Sequence, residues 1–208
     1  MAKKDTLTPE DWIKAAFRLL TQSGPKAIRV DYLCRELGVT KGSFYWHFED
    51  LAGLRAAMVG HWRRVATRDV IAAMSSRELG PRELFIRLFE TVLAIPAQDY
   101  GGPMAEAALR HWAAGDPAVQ AVVRDADAER LAFLSLHLRS AGLSGAEARS
   151  RAAFLCATLI GLEQLASEPA LPRLDIAGFV DAMLTPADSA TTATPTPEPA
   201  PGNGGNVS

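Results

Sequence analysis

The stretch Leu37-Gly38-Val39-Thr40-Lys41-Gly42-Ser43-Phe44-Tyr45-Trp46-His47-Phe48 has the form of a helix end, a tight turn and a second short helix. Val30, Leu33, Cys34 and Leu37 share one helical face ahead of it, and Gly38 is the residue that stops such a helix. Phe44 and Phe48 lie four apart and are expected to face a core. That turns Thr40, Lys41, Ser43, Tyr45 and His47, all able to hydrogen-bond bases or phosphates, away from it. In a helix-turn-helix the second helix enters the major groove with its first residues toward base edges. Gly42 lets backbone amides approach a phosphate closely, and a helix N-terminus favours that anion. On spacing alone, a helical hairpin with polar residues at its turn fits equally well.

Upstream, Thr8 precedes Pro9-Glu10-Asp11, the pattern of an N-cap, a proline at the first helical position and an acidic first turn. Ile13, Ala16, Phe17 and Leu20 follow at helical spacing until Gly24-Pro25. Downstream, Leu54, Ala57, Met58, His61, Trp62 and Val65 mark one face of a long fourth helix. Three short helices and a long one within about 70 residues read as a self-sufficient unit. The rest is also helical in pattern. Leu84, Phe85, Leu88, Phe89 and Val92 form a stripe ending before Pro96, and Met104, Ala108, Leu109 and Trp112 mark a short helix after Gly101-Gly102-Pro103. A long helix after Gly115-Asp116-Pro117 buries Val119, Val122, Val123, Ala126, Phe133, Leu134, His137 and Leu138. Its opposite face, with Arg124, Asp125, Asp127 and Glu129, reads as solvated. The next, from about Gly145 to Ser167, has no charge over residues 152–162, so it cannot be a half-solvated surface helix. A last helix carries Ile176, Phe179, Val180 and Met183. No segment has strand periodicity, so the fold class is all-α. Residues 185–208 turn to Thr, Pro, Ala, Gly, Asn and Ser and are expected to be a disordered tail.

The 208 residues are 48% hydrophobic and 22% charged, with a net charge of −2 that hides an asymmetry. Residues 1–68 carry 12 Lys/Arg against 7 Asp/Glu, a net of +5, and residues 69–208 carry 10 against 17, a net of −7. A basic module on an acidic body points to a polyanion at one end. Two cysteines are too few for a disulfide framework or a thiolate zinc site. No apolar run approaches the ~18 residues of a membrane span, and no signal-peptide pattern opens the chain, so a cytoplasmic protein without membrane partners is expected. His47, His61, His111 and His137 stand far apart without metal-ligand spacing, and neither a Gly-x-Ser-x-Gly elbow nor a phosphate loop is present. Catalysis, metals and cofactors are not expected.

The segment quoted first resembles the recognition region of the tetracycline-repressor-like (TetR) transcriptional regulators. Their usual form is a Gly-Val pair, a small polar residue and an aromatic-Tyr-x-His-Phe run. The resemblance covers about 50 residues from Trp12 onward. It implies that Lys41, Gly42 and Ser43 meet bases or nearby backbone, that Tyr45 and His47 contact phosphate, and that Trp46 packs on a thymine methyl or sugar edge. Thr40 and Arg29 complete the expected DNA-binding set. Arg29-Val30 stands where many members have two threonines, so Arg29 is expected to supply the phosphate contact by charge. Leu51 replaces a frequent lysine and follows Glu49-Asp50, which weakens anchoring there unless Lys3, Lys4 and Lys26 compensate.

The resemblance also implies a homodimer formed by the last two large helices, a pseudo-palindromic operator in double-stranded DNA and a small-molecule pocket in each subunit. Ala153, Ala157 and Gly161, four apart, with Phe179 on the final helix, are the expected dimer interface. Phe85, Phe89, Met104, His111, Trp112, Phe133 and His137 are the expected ligand-binding residues, with Gly101-Gly102-Pro103 as a lid. With no evident cluster of buried charge, a hydrophobic or aromatic effector is expected. The domains then run 1–52 (helix-turn-helix), 53–184 (effector-binding and dimerisation) and 185–208 (tail), with helix four, through His61 and Trp62, as the lever between the first two. The competing reading is a helical protein-interaction module with little DNA binding. Repression rather than activation is taken from the family alone.

Overall fold

Thr8 opens the first helix of the computed structural model, which describes residues 7–94, 100–102, 104–165 and 173–186. Its hydroxyl accepts from the Asp11 amide while the Asp11 carboxylate accepts from the Thr8 amide, a complete capping box ahead of α1 (Pro9–Ser23). A 3-10 turn (Pro25–Ala27) leads to α2 (Val30–Leu37) and α3 (Lys41–His47). Gly38 sits at φ 67°, in the left-handed region that glycine enters without steric cost, and its amide returns to the carbonyls of Cys34 and Arg35. Asp50 caps the next helix through the Gly53 amide at 2.7 Å. That helix, α4 (Leu51–Arg63), continues without a break through a π-helical segment (Arg64–Arg68) into α5 (Asp69–Ser75). The body follows as α6 (Pro81–Leu93), α7 (Met104–Ala113), α8 (Pro117–Ser140), α9 (Gly145–Leu165) and α10 (Ile176–Leu184). The described residues contain helices and no strand, so the all-α expectation holds.

Two apolar cores organise these helices. The first gathers Trp12, Phe17, Leu20, Leu33, Phe44, Leu54, Met58 and Trp62 from α1 to α4, and it also takes Leu109 and Trp112 from α7 and Val119, Val123 and Ala126 from α8. The N-terminal helices are therefore not a closed unit, because α1 and α4 bury their apolar faces partly against the body. The second core joins Phe85 and Phe89 of α6 to Leu134 and Leu138 of α8, Leu155 and Leu159 of α9 and Val180 of α10. Arg82 holds Asp181 by two hydrogen bonds of 2.6 and 3.0 Å, which fixes α10 against α6. Pro96, Pro103, Lys3, Lys4 and the tail from residue 187 lie outside the described residues, as does the stretch after Leu165 in which helix nine was expected to end.

Candidate nucleic-acid interface and effector cavity

Phe44 is fully buried and fixes how α3 is presented. Its ring meets Trp12 edge-on at 5.4 Å and stacks on Phe48 at 5.8 Å. With one face of α3 pinned, the other presents Tyr45, 58% exposed, and Trp46, 83% exposed, with Thr40, Lys41 and Gly42 also at the surface and Ser43 partly so. His47 is half-buried, its ring 6.3 Å from that of Trp12. The Lys41 ammonium lies 2.6 Å from Asp31, an exposed pair that ties α3 to α2 and holds the lysine above its ordinary range. Arg29 is the N-cap residue of α2 but makes no side-chain cap; its guanidinium lies over the Tyr32 ring at 5.4 Å. All eight expected DNA-binding residues thus fall on α3, the turn before it or the start of α2. Lys26 is exposed on the preceding 3-10 turn, and Leu51 turns partly into the first core.

Residues 13–58 match the family model of bacterial regulatory proteins of the tetR family. The N-terminal module is TetR-like. No curated protein matches the chain. Its fold matches a transcriptional regulator of Rhodococcus sp. RHA1 at 24% identity and a TM-score of 0.66, over 86% of this chain and 94% of that one. A TetR transcriptional regulator of Legionella pneumophila is similar at 15% identity and a TM-score of 0.69, over 88% and 100% of the two chains. A third similar structure, a transcriptional regulator from Saccharomonospora viridis in complex with choline, shares 18% identity over 85% and 91% of the chains, with a TM-score of 0.63. At these identities the likeness to solved structures is one of fold, and the match over α1 to α4 carries the family. Helix-turn-helix DNA binding and transcriptional regulation, rather than catalysis, belong to that family. Among the described residues no helix of this TetR-like chain is long and apolar enough to cross a membrane.

The body of the regulator contains a cavity of about 70 Å³ between the π-helical segment, α5, α6, α8 and α9. Val70, Ile71, Leu88, Val92, Phe133, Leu134, Leu159 and Ile160 make it apolar, and Arg130 and Glu163 bring charge to it. Of the seven expected ligand-binding residues, Phe133 alone lines it. Phe85 and Phe89 are packed in the second core, because the side of α6 that meets the void carries Leu88 and Val92 instead. His137 sits a turn beyond Phe133, ring to ring at 4.5 Å, and burial lowers its pKa. Trp112 belongs to the first core and donates to Asp116 at 3.1 Å; His111 and Met104 are exposed. Gly101 lies against α1, close to Thr21 and the Phe17 carbonyl, rather than on the cavity wall.

The expectation of a site without buried charge is corrected by Glu106, which is 2% exposed. Its carboxylate accepts from Trp62 Nε1 at 3.1 Å, Arg110 Nε at 2.8 Å and Arg130 at 3.0 and 3.2 Å. Arg110 in turn forms two hydrogen bonds with Asp127. Arg130 also donates to Thr67 Oγ1 at 3.0 Å and to the Ala66 carbonyl at 3.2 Å, and its guanidinium lies over the Trp62 ring. A side chain bonding into a helix ladder is a recognised source of local irregularity, and the π-helical segment lies at these two residues. The acidic face of α8 is likewise not left to solvent: Glu129 bonds both Arg63 and Arg68, and Asp125 pairs with Arg63. Only Arg124 of the four residues expected there stands well exposed, at 77%. The sequence signal available was a set of balanced charges on α7 and α8, with no way to tell which met across helices.

On the outer side of α9, Ala153 and Ala157 are exposed, Gly161 partly so, and Phe154 is 64% exposed. Among the described residues this apolar, charge-free face stays largely open. Phe179 instead turns inward and meets Phe89 edge-on at 5.7 Å.

Proposed function

We propose that the protein is a ligand-responsive repressor that binds a pseudo-palindromic operator as a homodimer and acts in the cytoplasm. The observation that carries the reading is α3: pinned by Phe44 and presenting Thr40, Lys41, Gly42, Ser43, Tyr45 and Trp46 from a tetR-family module. Residues 1–52 read DNA, 53–184 hold the effector and the dimer contact, and 185–208 form a tail needed for neither. The largely open Ala153–Ala157–Gly161 face of α9 supports pairing of two copies, which sets two recognition helices about one DNA turn, ~34–36 Å, apart.

The cavity is the effector site of this reading. A structure of the same fold holds choline, which supports a small organic ligand in such a body. Its wall includes Ala66 and Thr67, and Arg130 links those residues to Glu106 and, through it, to Trp62 of α4. A ligand favouring one arrangement of this network biases α4 and hence the spacing of the recognition helices, by no more than its difference in affinity for the two arrangements.

The test is fluorescence anisotropy of the purified protein on DNA from upstream of its own coding region, against random duplex, over a salt series. The expected result is specific binding with a log–log slope of roughly −0.9 per phosphate neutralised. Equal binding of both duplexes places the operator elsewhere and calls for selection from a random library. Failure of either duplex to bind at low salt overturns the reading in favour of a protein-interaction module.

A further inference from the structure

We infer that the cavity takes a ligand with an apolar body and a positively charged nitrogen, held by the carboxylate of Glu163; the inference rests on the effector-site reading above. Most polar atoms on the cavity wall already have partners. Arg130 reaches the wall, but its Nε, Nη1 and Nη2 atoms all donate, to Thr67, Glu106 and the Ala66 carbonyl. Thr67 Oγ1 already accepts from the same arginine. Cys156 offers a thiol that burial keeps protonated, a weak partner at best. Glu163 is different. No hydrogen bond or ion pair holds it within the described residues, although it lines a space otherwise walled by Val70, Ile71, Leu88, Val92, Phe133 and Ile160.

The surroundings decide the sign of the missing partner. Glu106 and Arg110 of α7 and Arg130 of α8 are the charged groups that act on Glu163, and the arginines are already compensated by Glu106 and Asp127. An anionic ligand would be repelled by the Glu163 carboxylate, and the arginines nearest to it are already paired with Glu106 and Asp127. A neutral ligand would leave an unpaired acid in an apolar space, where its charge is penalised. Burial, reinforced by Glu106, pushes the Glu163 carboxyl up to about 7, so it stands half-protonated near neutrality. A cation beside it restores the ionised form and gains a charge-assisted contact, and the Phe133 ring on the wall suits a cation as well.

Three matched probes test this with the full-length protein: 2-phenylethylamine, 2-phenylethanol and phenylacetate, compared by calorimetry at a pH of about 8, where Glu163 is ionised. The amine is expected to bind at least about tenfold tighter than the alcohol, with phenylacetate weakest. Glu163→Gln should bring the amine and the alcohol within about twofold while keeping its thermal unfolding transition. Near pH 7 amine binding should release protons, seen as a heat that varies with the buffer's ionisation enthalpy. An alcohol that binds as well as the amine, or a preference that survives Glu163→Gln, overturns the inference and leaves the effector site standing. Ile160→Trp, which fills the cavity, separates the two: if none of the probes binds, or if this variant binds them unchanged, the effector site itself fails and the inference with it.

Discussion

Around Phe44 the space between helices is filled by rings: Trp12 at 5.4 Å, Tyr45 at 5.3 Å and Phe48 at 5.8 Å. Around Glu163 the packing stops short, and aliphatic walls enclose a void beside a buried ionic network. The two regions belong to one chain and touch through Trp62, whose ring lies in the first core while its indole N–H reaches Glu106. The comparison separates two tasks. A surface that reads DNA has to hold a few side chains in fixed positions, which dense packing of rigid rings provides. A surface that senses a small molecule needs an unfilled volume and a group whose partner is missing.

Substitutions can break the contrast at either end. The largest effect is expected from Phe44→Ala, which empties the ring-filled region and should cost about 3–5 kcal/mol in urea unfolding, removing DNA binding with the fold. Arg130→Met should cost about 3 kcal/mol by the same measurement, since it leaves Glu106 and Thr67 buried with fewer partners. Pairing it with Glu106→Gln should recover part of that loss; full additivity would mean that the two residues do not act together. Glu163 sharpens the contrast through pH. Its carboxyl is raised from 4.5 to about 7 in the folded protein, so the ionised form is disfavoured there and stability is lost as pH climbs between those values. Glu163→Gln should therefore match wild type below about pH 4 and exceed it by about 1–2 kcal/mol at pH 8, a figure reduced for the solvent that reaches the group. A smaller loss, about 1 kcal/mol, is expected for Gly38→Ala, where φ 67° strains any side chain although nothing crowds the position. Smallest of all, Trp46→Ala should change thermal stability by less than about 0.5 kcal/mol while weakening operator binding, because its side chain touches water rather than the core.

What could be read in the sequence was local. The Thr8–Asp11 cap, the Gly38 stop and the Phe44–Phe48 pair each depend on residues within a few positions of one another, and each is in place. The grouping of the eight residues on α3, the turn before it and the start of α2 was legible for the same reason. Glu106 and Arg130 lie 24 positions apart on different helices, and their meeting depends on how α7 packs on α8. Helical periodicity showed that α6 has an apolar face but not that Leu88 and Val92, rather than Phe85 and Phe89, border an empty volume. The segment Arg64-Val65-Ala66-Thr67-Arg68 contains neither glycine nor proline, so nothing local announces its π-helical turn. Its shape goes with Arg130, a partner from α8.

The exposure of Trp46 has an optical consequence. Of the four tryptophans, Trp12, Trp62 and Trp112 are buried and Trp46 alone is open to water. The red edge of the intrinsic emission should therefore belong to one indole, placed on α3, the helix proposed to enter the groove. A soluble quencher should extinguish that component first, and an operator duplex should shield it. The protein thus carries its own fluorescent reporter of DNA occupancy, readable without a dye and spectrally separate from the indole of Trp62 that borders the network beside the cavity.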